Sequence, residues 1–321
     1  MMRIRQTFRS PVMTGLLLAG VLGSSLSARA DSGFAGSWFA ASALTPAYQA
    51  LAAGDSALAW QYLLSAVRAQ SVPVSAWQPL YQAILEESEC GRLLPSVTES
   101  PASLSLQQRS SGEHQAFQVR WSSAADQAMR LEGASTTVRL MPDAAAVSVA
   151  NHAKQEAEDI ELESTELSAP LPSGVYQITR SVLSSNPSEP QVATAPSAGP
   201  SAGPSAGTAS ILLTPWPQQR WVQLDGQGNR LQLTPPVTVR SCPAVSLQWQ
   251  WFDAEYRLLG APWPIRLNAQ GAAQLPETIP AKAVWLSAVV TQTRYQGQLR
   301  IAEQQRLTLP LRWVRSAQGE Q

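Results

Sequence analysis

The two cysteines of the chain, Cys90 and Cys242, constrain its fold more than any other feature. They lie 152 positions apart and are the only cysteines among 321 residues. Cys90 ends a region with helical spacing, and Cys242 precedes residues 247–252, the most regularly alternating strand pattern. In an exported protein the even count predicts one intramolecular bridge, which would stabilise the fold by up to about 5 kcal/mol. Two free thiols, or a bond to another chain, are the alternatives.

The first thirty residues predict a secretory signal. An arginine-rich start precedes a short apolar core at 15–22, and the Ala-Arg-Ala motif at 28–30 predicts cleavage before Asp31. An uncleaved membrane anchor is the alternative, but the apolar run is short for a bilayer span. We expect no membrane span after signal cleavage. The expected location is the periplasm, with secretion from the cell as the alternative.

The charge balance bears on the kind of partner. The full chain carries 23 basic and 23 acidic side chains, and removing residues 1–30 takes away four arginines and no acid. The mature chain would therefore have a net charge of −4. That value argues against nucleic acid or an anionic membrane surface as the partner.

Residues 31–95 predict a helical domain of about three helices. Thr45 and Pro46 suit the start of the first helix, and Asp55 suits the N-cap of the second. A third helix at about 75–89 would carry Pro79 in its first turn. The segment around 50–57 is similar to one tetratricopeptide hairpin, but one unit cannot bury its own faces. A small helical head packed on the rest of the chain is the preferred interpretation.

Residues 96–217 predict a first β-sandwich domain. Alternating apolar residues mark strands near 117–121, 137–141, 146–150 and 175–183. An acidic run at 154–166 matches no calcium loop and is interpreted as a solvated segment, part of it an edge strand near Ile160 and Leu162. Gly174 shortly before Tyr176 is typical of a sandwich corner, where the tyrosine hydroxyl reaches the backbone.

A low-complexity segment at 186–209 repeats the residues Pro-Ser-Ala-Gly. It could be an interdomain linker or a long hairpin loop. We favour the loop, because 210–214 has a strand pattern that could pair with 175–183, and long insertions cost little closure entropy. The domain boundary would then fall at 215–217.

Residues 218–321 predict a second β-sandwich domain. One hairpin is expected around Asp225–Asn229, a second around 294–297, and a last strand at 307–314. The predicted fold class is therefore α+β, with a helical head followed by two antiparallel, immunoglobulin-like β-sandwich domains.

The chemistry of a catalytic site is sparse in this sequence. No serine lies in a nucleophile elbow, and no glycine-rich phosphate loop is present. The only histidines, His114 and His152, have no partners at metal-ligand spacing. Asp253 and Glu255 are more simply turn residues than a glycosidase pair. We therefore predict that the protein is not an enzyme and has no catalytic residues, metal or cofactor.

The 11 tryptophans are the best candidates for a binding surface. Trp249 and Trp251 share one face of their strand and are interpreted as core. Trp216 and Trp263 lie among prolines in predicted loops, and they are the possible binding surface. Exposed rings of this kind can anchor a protein partner or stack on a glycan.

A set of landmarks runs in order along the chain: Thr45–Pro46, Cys90–Gly91, Leu171–Pro172 with 174–176, Cys242–Pro243 and 295–304. In these landmarks the mature chain resembles an uncharacterised family of exported envelope proteins from gammaproteobacteria. The family has no assigned activity, so the resemblance implies location and architecture. It implies a cysteine at both matching positions, which favours the bridge, whereas the Pro-Ser-Ala-Gly segment departs from the pattern and favours a dispensable loop. We expect a non-catalytic interaction or accessory protein that binds another envelope protein, or alternatively a carbohydrate-binding module.

Overall fold

The predicted signal peptide, the predicted strand at 146–150 and most of the low-complexity segment lie outside the residues that the structure describes. All described residues belong to one compact unit that begins at Ser42. The computed structural model of the protein describes residues 42–69, 72–112, 114–123, 127–142, 160–182, 209–228, 230–269 and 271–319.

The three predicted N-terminal helices are confirmed as α1 (Thr45–Ala52), α2 (Ser56–Arg68) and α3 (Val74–Glu87). Asp55 caps α2 as predicted, because its Oδ1 accepts a hydrogen bond from the Leu58 backbone N–H at 2.8 Å. Two details were wrong. Thr45 is the first residue of α1 rather than its N-cap, and α3 begins early enough to place Pro79 beyond its first turn.

Eleven of the described strands form one hydrogen-bonded sheet, and β8 and β9 form a separate hairpin. The order across the large sheet is β11-β10-β12-β13-β1-β2-β5-β4-β3-β6-β7, and most pairs are antiparallel. The strands are β1 (Ala102–Ser111), β2 (His114–Ser123), β3 (Gln127–Glu132), β4 (Thr137–Pro142), β5 (Ile160–Glu163), β6 (Gly174–Val182), β7 (Ala209–Leu213), β8 (Val222–Leu224), β9 (Leu231–Leu233), β10 (Ser246–Phe252), β11 (Trp263–Pro264), β12 (Trp285–Gln296) and β13 (Leu299–Pro310).

Two separate immunoglobulin-like sandwiches are not confirmed. The first strand of the β-rich region, β1, pairs in parallel with the last, β13. Strands on both sides of the predicted boundary at 217 therefore belong to one sheet, and the domain boundaries stay a prediction. The coarser expectation is confirmed: the protein is α+β, with three N-terminal helices and a large, mostly antiparallel sheet. Strand periodicity indicates which segments are strands, but it does not identify their partners.

The hydrophobic residues form three cores. The first lies among β1 to β7 and the start of β13. The large sheet curls over on itself, because Ser210 of β7 and the adjacent Thr214 contact Gln296 and Glu303 of the β12–β13 hairpin. The second holds the three helices together with Leu212 of β7. The third lies among β8 to β10, β12, the end of β13 and a C-terminal helix, α4 (Leu311–Gly319). Strand β13 serves two cores, with Leu299 and Ile301 in the first and Leu307 and Leu309 in the third.

Both predicted hairpins of the C-terminal region exist. Strands β8 and β9 pair around the Asp225 turn. In the second hairpin, β12 continues to Gln296, so the turn falls at Gly297 rather than across 294–297. The predicted last strand at 307–314 was partly wrong, because β13 ends at Pro310 and α4 follows. The helical spacing of Val314 and Ala317, both buried, accounts for this difference.

The low-complexity segment connects two paired strands, because β6 pairs antiparallel with β7, with Gly174 opposite Leu213. This pairing agrees with the preferred loop interpretation. Strand β5 differs from its prediction. It lies between β2 and β4 and is therefore not an edge strand.

Tyr176 makes the predicted corner contact. Its hydroxyl donates to the Pro172 carbonyl at 2.9 Å, and the ring is buried. Burial raises the pKa of this hydroxyl to about 12. Gly133 lies against the ring, where an added Cβ would be 2.6 Å from the nearest ring carbon. The corner is therefore closely packed.

The predicted disulfide is confirmed, and Cys90 and Cys242 have a Cα–Cα distance of 4.7 Å. The bridge joins the end of the helical region to the segment before β10. The same helical end also binds the β12–β13 hairpin, because the Tyr295 N–H donates to the Cys90 carbonyl at 2.9 Å. Gly91 has φ of 87°, and an added Cβ would clash with the Tyr295 carbonyl. Covalent and backbone contacts therefore fasten the helices at one place.

Candidate functional site

The β12–β13 hairpin has two chemically different faces. Side chains of a strand alternate between faces, and residues opposite each other on paired strands share one face. The odd-numbered residues of β13 face the cores. Val289 of β12 and Ala302 of β13 are buried, but they belong to none of the three cores. They mark the opposite face of the sheet.

On the core side, polar residues lie between the first and third cores. Arg294 of β12 forms a buried ion pair with Glu303 of β13, whose Oε1 also accepts a hydrogen bond from the Thr214 hydroxyl at 3.0 Å. Burial alone would lower the pKa of Arg294, but the Glu303 carboxylate outweighs burial and raises it above the ordinary arginine value. Beside this pair, Gln305 Oε1 accepts from the Trp221 N–H at 2.7 Å. These contacts serve the fold.

The opposite face carries long polar side chains on four strands, and we call it the arginine–glutamine face. Most of these side chains are half-buried, and they flank the buried Val289 and Ala302. The face is defined by Gln107 and Arg109 of β1, Gln118 and Arg120 of β2, Gln248 and Gln250 of β10, and Gln304 and Arg306 of β13.

At the centre of this face, two arginines lie side by side. Arg109 and Arg306 are direct partners in the parallel β1–β13 pair, on strands about 4.8 Å apart. Among the described residues, no carboxylate lies within ion-pair distance of either guanidinium. Like charges directly opposite each other on neighbouring strands are destabilising. The fold alone gives no reason for this arrangement.

The surroundings of the two guanidiniums satisfy them only in part. Arg306 donates to Gln250 Oε1 at 2.9 Å, and Arg109 donates to Gln107 Oε1 at 3.4 Å. Within the described residues, the Nε atoms of both arginines are buried and have no hydrogen-bond partner, as is also true of the Nε atoms of Arg120 and Arg294. Burial, together with the positive charges of Arg109 and Arg120, lowers the pKa of Arg306 to about 10. Burial and the Arg120 charge also lower the pKa of Arg109, and the more weakly acting Glu163 and Glu166 carboxylates offset part of this lowering.

Arg120, on the same face, differs from the central pair because carboxylates neutralise its charge. Its guanidinium lies 2.6 Å from Glu163 and 4.0 Å from Glu161, both on the neighbouring strand β5. The acidic charge on this face is therefore placed towards β5. In the other direction, the neighbouring residues on β12 and β10 are the uncharged Val289 and Gln248.

Aromatic rings lie at one end of the same face. Phe252 of β10 is opposite Trp285 of β12, and the Arg306 guanidinium lies 5.4 Å from the Phe252 ring centre. Tyr256 stacks on Trp285, with ring centres 5.4 Å apart and planes 13° apart, and is 59% exposed. The arginine–glutamine face therefore ends at an accessible pair of stacked rings.

The turn that carries Tyr256 is held in an uncommon conformation. Tyr256 has φ of 59°, in the left-handed region that large side chains rarely adopt. Asp253 holds the turn by accepting hydrogen bonds from the Glu255 N–H, the Arg257 N–H and the Arg257 Nε at 2.8–3.0 Å. Burial would raise the pKa of Asp253, but the Arg257 bonds lower it below its ordinary value. This confirms Asp253 and Glu255 as turn residues.

A repeated tripeptide in the sequence marks this face. The tripeptide Gln-Gln-Arg occurs three times, at 107–109, 218–220 and 304–306. The first and third copies align residue for residue in the parallel β1–β13 pair. Their middle residues, Gln108 and Gln305, are buried on the core side, whereas the flanking glutamine and arginine lie on the opposite face. Only the parallel pairing brings the two arginines together.

The structure does not bring the two predicted binding tryptophans together. Trp216 donates from Nε1 to Gln108 Oε1 at 3.0 Å, and its half-buried ring packs edge-on against Phe117 at the first core. Trp263 lies opposite Trp249 and packs against the third core. Both therefore lie on the core side of the sheet, and their role as a binding surface stays a prediction. The core prediction for Trp249 and Trp251 is confirmed, since both are 2% exposed.

The described residues also bear on metal binding and on membrane crossing. Among the described residues, no group of three or more His, Cys, Asp or Glu side chains is arranged to hold a metal ion. His114 lies at the start of β2, and His152 is outside the described residues. Within the same part of the chain, no helix combines the length and apolar character that a membrane crossing requires.

Together these features define a disulfide-bonded α+β protein built around one large sheet. The chain belongs to the family described as "Protein of unknown function (DUF2861)", whose model matches residues 38–312. The match includes both cysteines and both central arginines, and it confirms the predicted membership of an uncharacterised family. A comparison with curated proteins finds no similar sequence.

Proposed function

We propose that the protein is a non-catalytic, exported cell-envelope protein that binds another envelope protein through the arginine–glutamine face. A periplasmic location is supported by the signal-like first thirty residues and by the Cys90–Cys242 bridge, since disulfides persist in oxidising compartments. The gammaproteobacterial origin implied by the resemblance is part of the same proposal. Secretion from the cell is the alternative location.

The observation that carries the binding role is the Arg109–Arg306 pair. Two half-buried like charges on adjacent strands weaken the free protein, so a benefit outside the fold is expected. Arginine is enriched at protein–protein interfaces and in their energetic centres. The face also lies on a rigid sheet, which can present these side chains without ordering a loop.

A sandwich-like arrangement of the first half of the sheet is part of the proposal. Two features support it: the first core lies between two layers of strands, and Tyr176 makes a corner contact typical of sandwiches. In such an architecture one layer has its outer side free for a partner. The arginine–glutamine face lies on that outer side of the β1–β2–β13 layer.

Site-specific photo-crosslinking in cells tests the binding role. A photoreactive amino acid placed at Gln304 samples the centre of the face, and the same residue at Gln223, an exposed position of β8, is the control. We expect a discrete adduct with an envelope protein at Gln304 and none at Gln223. No adduct at Gln304, or identical adducts at both positions, would contradict the proposed function.

Carbohydrate binding is the second candidate, and the stacked Tyr256–Trp285 pair favours it. Accessible aromatic rings beside hydrogen-bonding side chains suit a sugar ring, and here both occur on one face. Titrating tryptophan fluorescence with cell-wall fragments tests this candidate. A saturable change that disappears in Tyr256→Ala would support it, and an unchanged spectrum with every fragment would count against it.

A further inference from the structure

We propose that the Arg109–Arg306 pair binds a side-chain carboxylate in a short acidic segment of the partner protein. The inference rests on the proposed function and specifies its chemistry. It follows from three properties of the face: a pair of guanidiniums with no carboxylate of the described residues within ion-pair distance, an acidic flank on one side, and a neutral surface on the other.

The two guanidiniums have N–H donors that suit a carboxylate. Each guanidinium is a planar fork of N–H donors that matches the two oxygens of a carboxylate. Within the described residues, each makes one hydrogen bond to a glutamine through Nη2 and no ion pair, so terminal N–H donors remain for a carboxylate. Because the strands are about 4.8 Å apart, one carboxylate can contact both guanidiniums.

The charges around the pair restrict the shape of the ligand. Glu163 and Glu161 of β5 lie beyond Arg120 and would repel a long polyanion that continued in that direction. Towards β12 and β10 the face is uncharged and ends at Phe252 and Trp285. A segment with one or two acidic residues followed by neutral and apolar ones therefore fits the face better than nucleic acid does.

Half-burial makes the interaction stronger than a surface ion pair. Bonds between a partly desolvated arginine and a carboxylate are worth more than exposed ones, because water screens them less. The lowered pKa values of Arg306 and Arg109 indicate that the fold disfavours these charges without a ligand. A bound carboxylate would stabilise the charged forms of both arginines.

Peptide binding to the full chain, with its disulfide oxidised, tests the inference. Fluorescently labelled hexaglutamate and hexaglutamine are titrated at low salt, and binding is followed by anisotropy. We expect hexaglutamate to bind and hexaglutamine not to bind. Arg306→Gln and Arg109→Gln should each weaken hexaglutamate binding by about tenfold or more, because each removes a charged partner.

Arg300→Gln is the matched control. Arg300 is exposed on the same side of β13, six residues and about 20 Å from Arg306, and the substitution removes the same charge. We expect it to change binding by less than about twofold, since it affects only long-range attraction. Equal weakening by Arg300→Gln and Arg306→Gln would overturn the site and indicate non-specific charge attraction.

The remaining outcomes separate this inference from the proposed function. Tight binding of oligogalacturonate with no binding of hexaglutamate would overturn the inference in favour of an acidic glycan. Absence of binding to both probes, with the Gln304 adduct still present in cells, would overturn the carboxylate site but leave the binding face intact. Unfolding midpoints of both variants at or above wild type exclude misfolding as the cause of weaker binding.

Discussion

Arg294 and Arg306 lie on the same hairpin and have opposite environments. Arg294 is on the core side, buried and paired with Glu303, and its pKa is raised. Arg306 is on the other side, beside Arg109, and its pKa is lowered to about 10 by burial and by neighbouring positive charges. One residue type therefore serves the fold on one face and is unfavourable for the fold on the other.

The comparison separates structural polar residues from candidate binding residues. The Arg294–Glu303 pair sits between two hydrophobic cores, where Thr214 also contacts the carboxylate. Within the part of the chain that the structure describes, Arg306 donates its side-chain hydrogen bond to the uncharged Gln250. A buried charge that is paired with an opposite charge is explained by the structure, whereas a half-buried charge next to a like charge is what the proposed ligand would explain.

The largest expected effect on stability comes from a substitution on the core side of the sheet. Glu303→Gln should lower the free energy of unfolding by about 3–5 kcal/mol, because Arg294 would remain buried without a counter-charge. Urea denaturation measures the change. Glu161→Gln is the matched control, since the Glu161 side chain is 55% exposed and its loss should cost less than about 1 kcal/mol.

A double substitution sharpens that result. Arg294→Met with Glu303→Leu removes both charges and should cost much less than Glu303→Gln alone, because no unpaired charge remains. A loss under about 1 kcal/mol in the single variant would mean that Arg294 is not committed to the fold. The comparison between the two arginines would then fail.

Loss of the disulfide is expected to have the next largest effect on stability. The bridge also lies near Arg294, on the core side of the sheet. Replacing Cys90 and Cys242 with alanine should lower the free energy of unfolding by about 2–5 kcal/mol, because a long closed loop is opened. Cys90 Sγ lies 3.7 Å from the Thr293 carbonyl, adjacent to Arg294. Reductant should destabilise the wild type by a similar amount and leave the double-alanine variant unaffected.

Two neighbouring glutamines allow the faces to be compared within one tripeptide. Gln305→Leu should cost about 1–3 kcal/mol, because it leaves the buried Trp221 N–H without an acceptor. Gln304→Leu should lower the free energy of unfolding by less than about 1 kcal/mol. It removes only one side-chain hydrogen bond, to Thr291, and both residues lie on the arginine–glutamine face. Thermal and urea unfolding of the two variants measure the difference, and equal losses would show that the faces are not distinct.

The smallest expected effect is a gain in stability. Arg306→Gln should raise the free energy of unfolding by about 0.5–1 kcal/mol, because it removes a like-charge neighbour of Arg109. The gain should shrink at high salt, which screens the repulsion. Adding Arg109→Gln should bring little further gain, as a double-mutant cycle would show. A decrease in the free energy of unfolding above about 1 kcal/mol would show that Arg306 stabilises the fold.

Local features were well predicted from the sequence. The spacing of apolar residues predicted the three helices, the turn residues around Asp225 predicted a hairpin, and Gly174 predicted the Tyr176 corner. Each of these features depends on residues close together in the chain. The bridge was predicted over a long separation because the cysteine count left few alternatives.

The candidate site was not predicted, since it depends on which strands are neighbours. Arg109 and Arg306 are 197 positions apart, and alternation alone does not say that β1 and β13 pair in parallel. The same limit explains why β5 was placed at an edge and why two separate sandwiches were expected. Tryptophan content directed attention to Trp216 and Trp263, which lie on the core side.

The sequence by itself determined the helices, most of the strands, the two main hairpins and the cysteine pair, because short-range periodicity, turn chemistry and composition decide such features. Tertiary structure alone decided that the first and last long strands lie side by side, and that two Gln-Gln-Arg segments align across them. The physical reason is that strand partners are selected by the packing of the whole core. No local pattern in either strand contains that information.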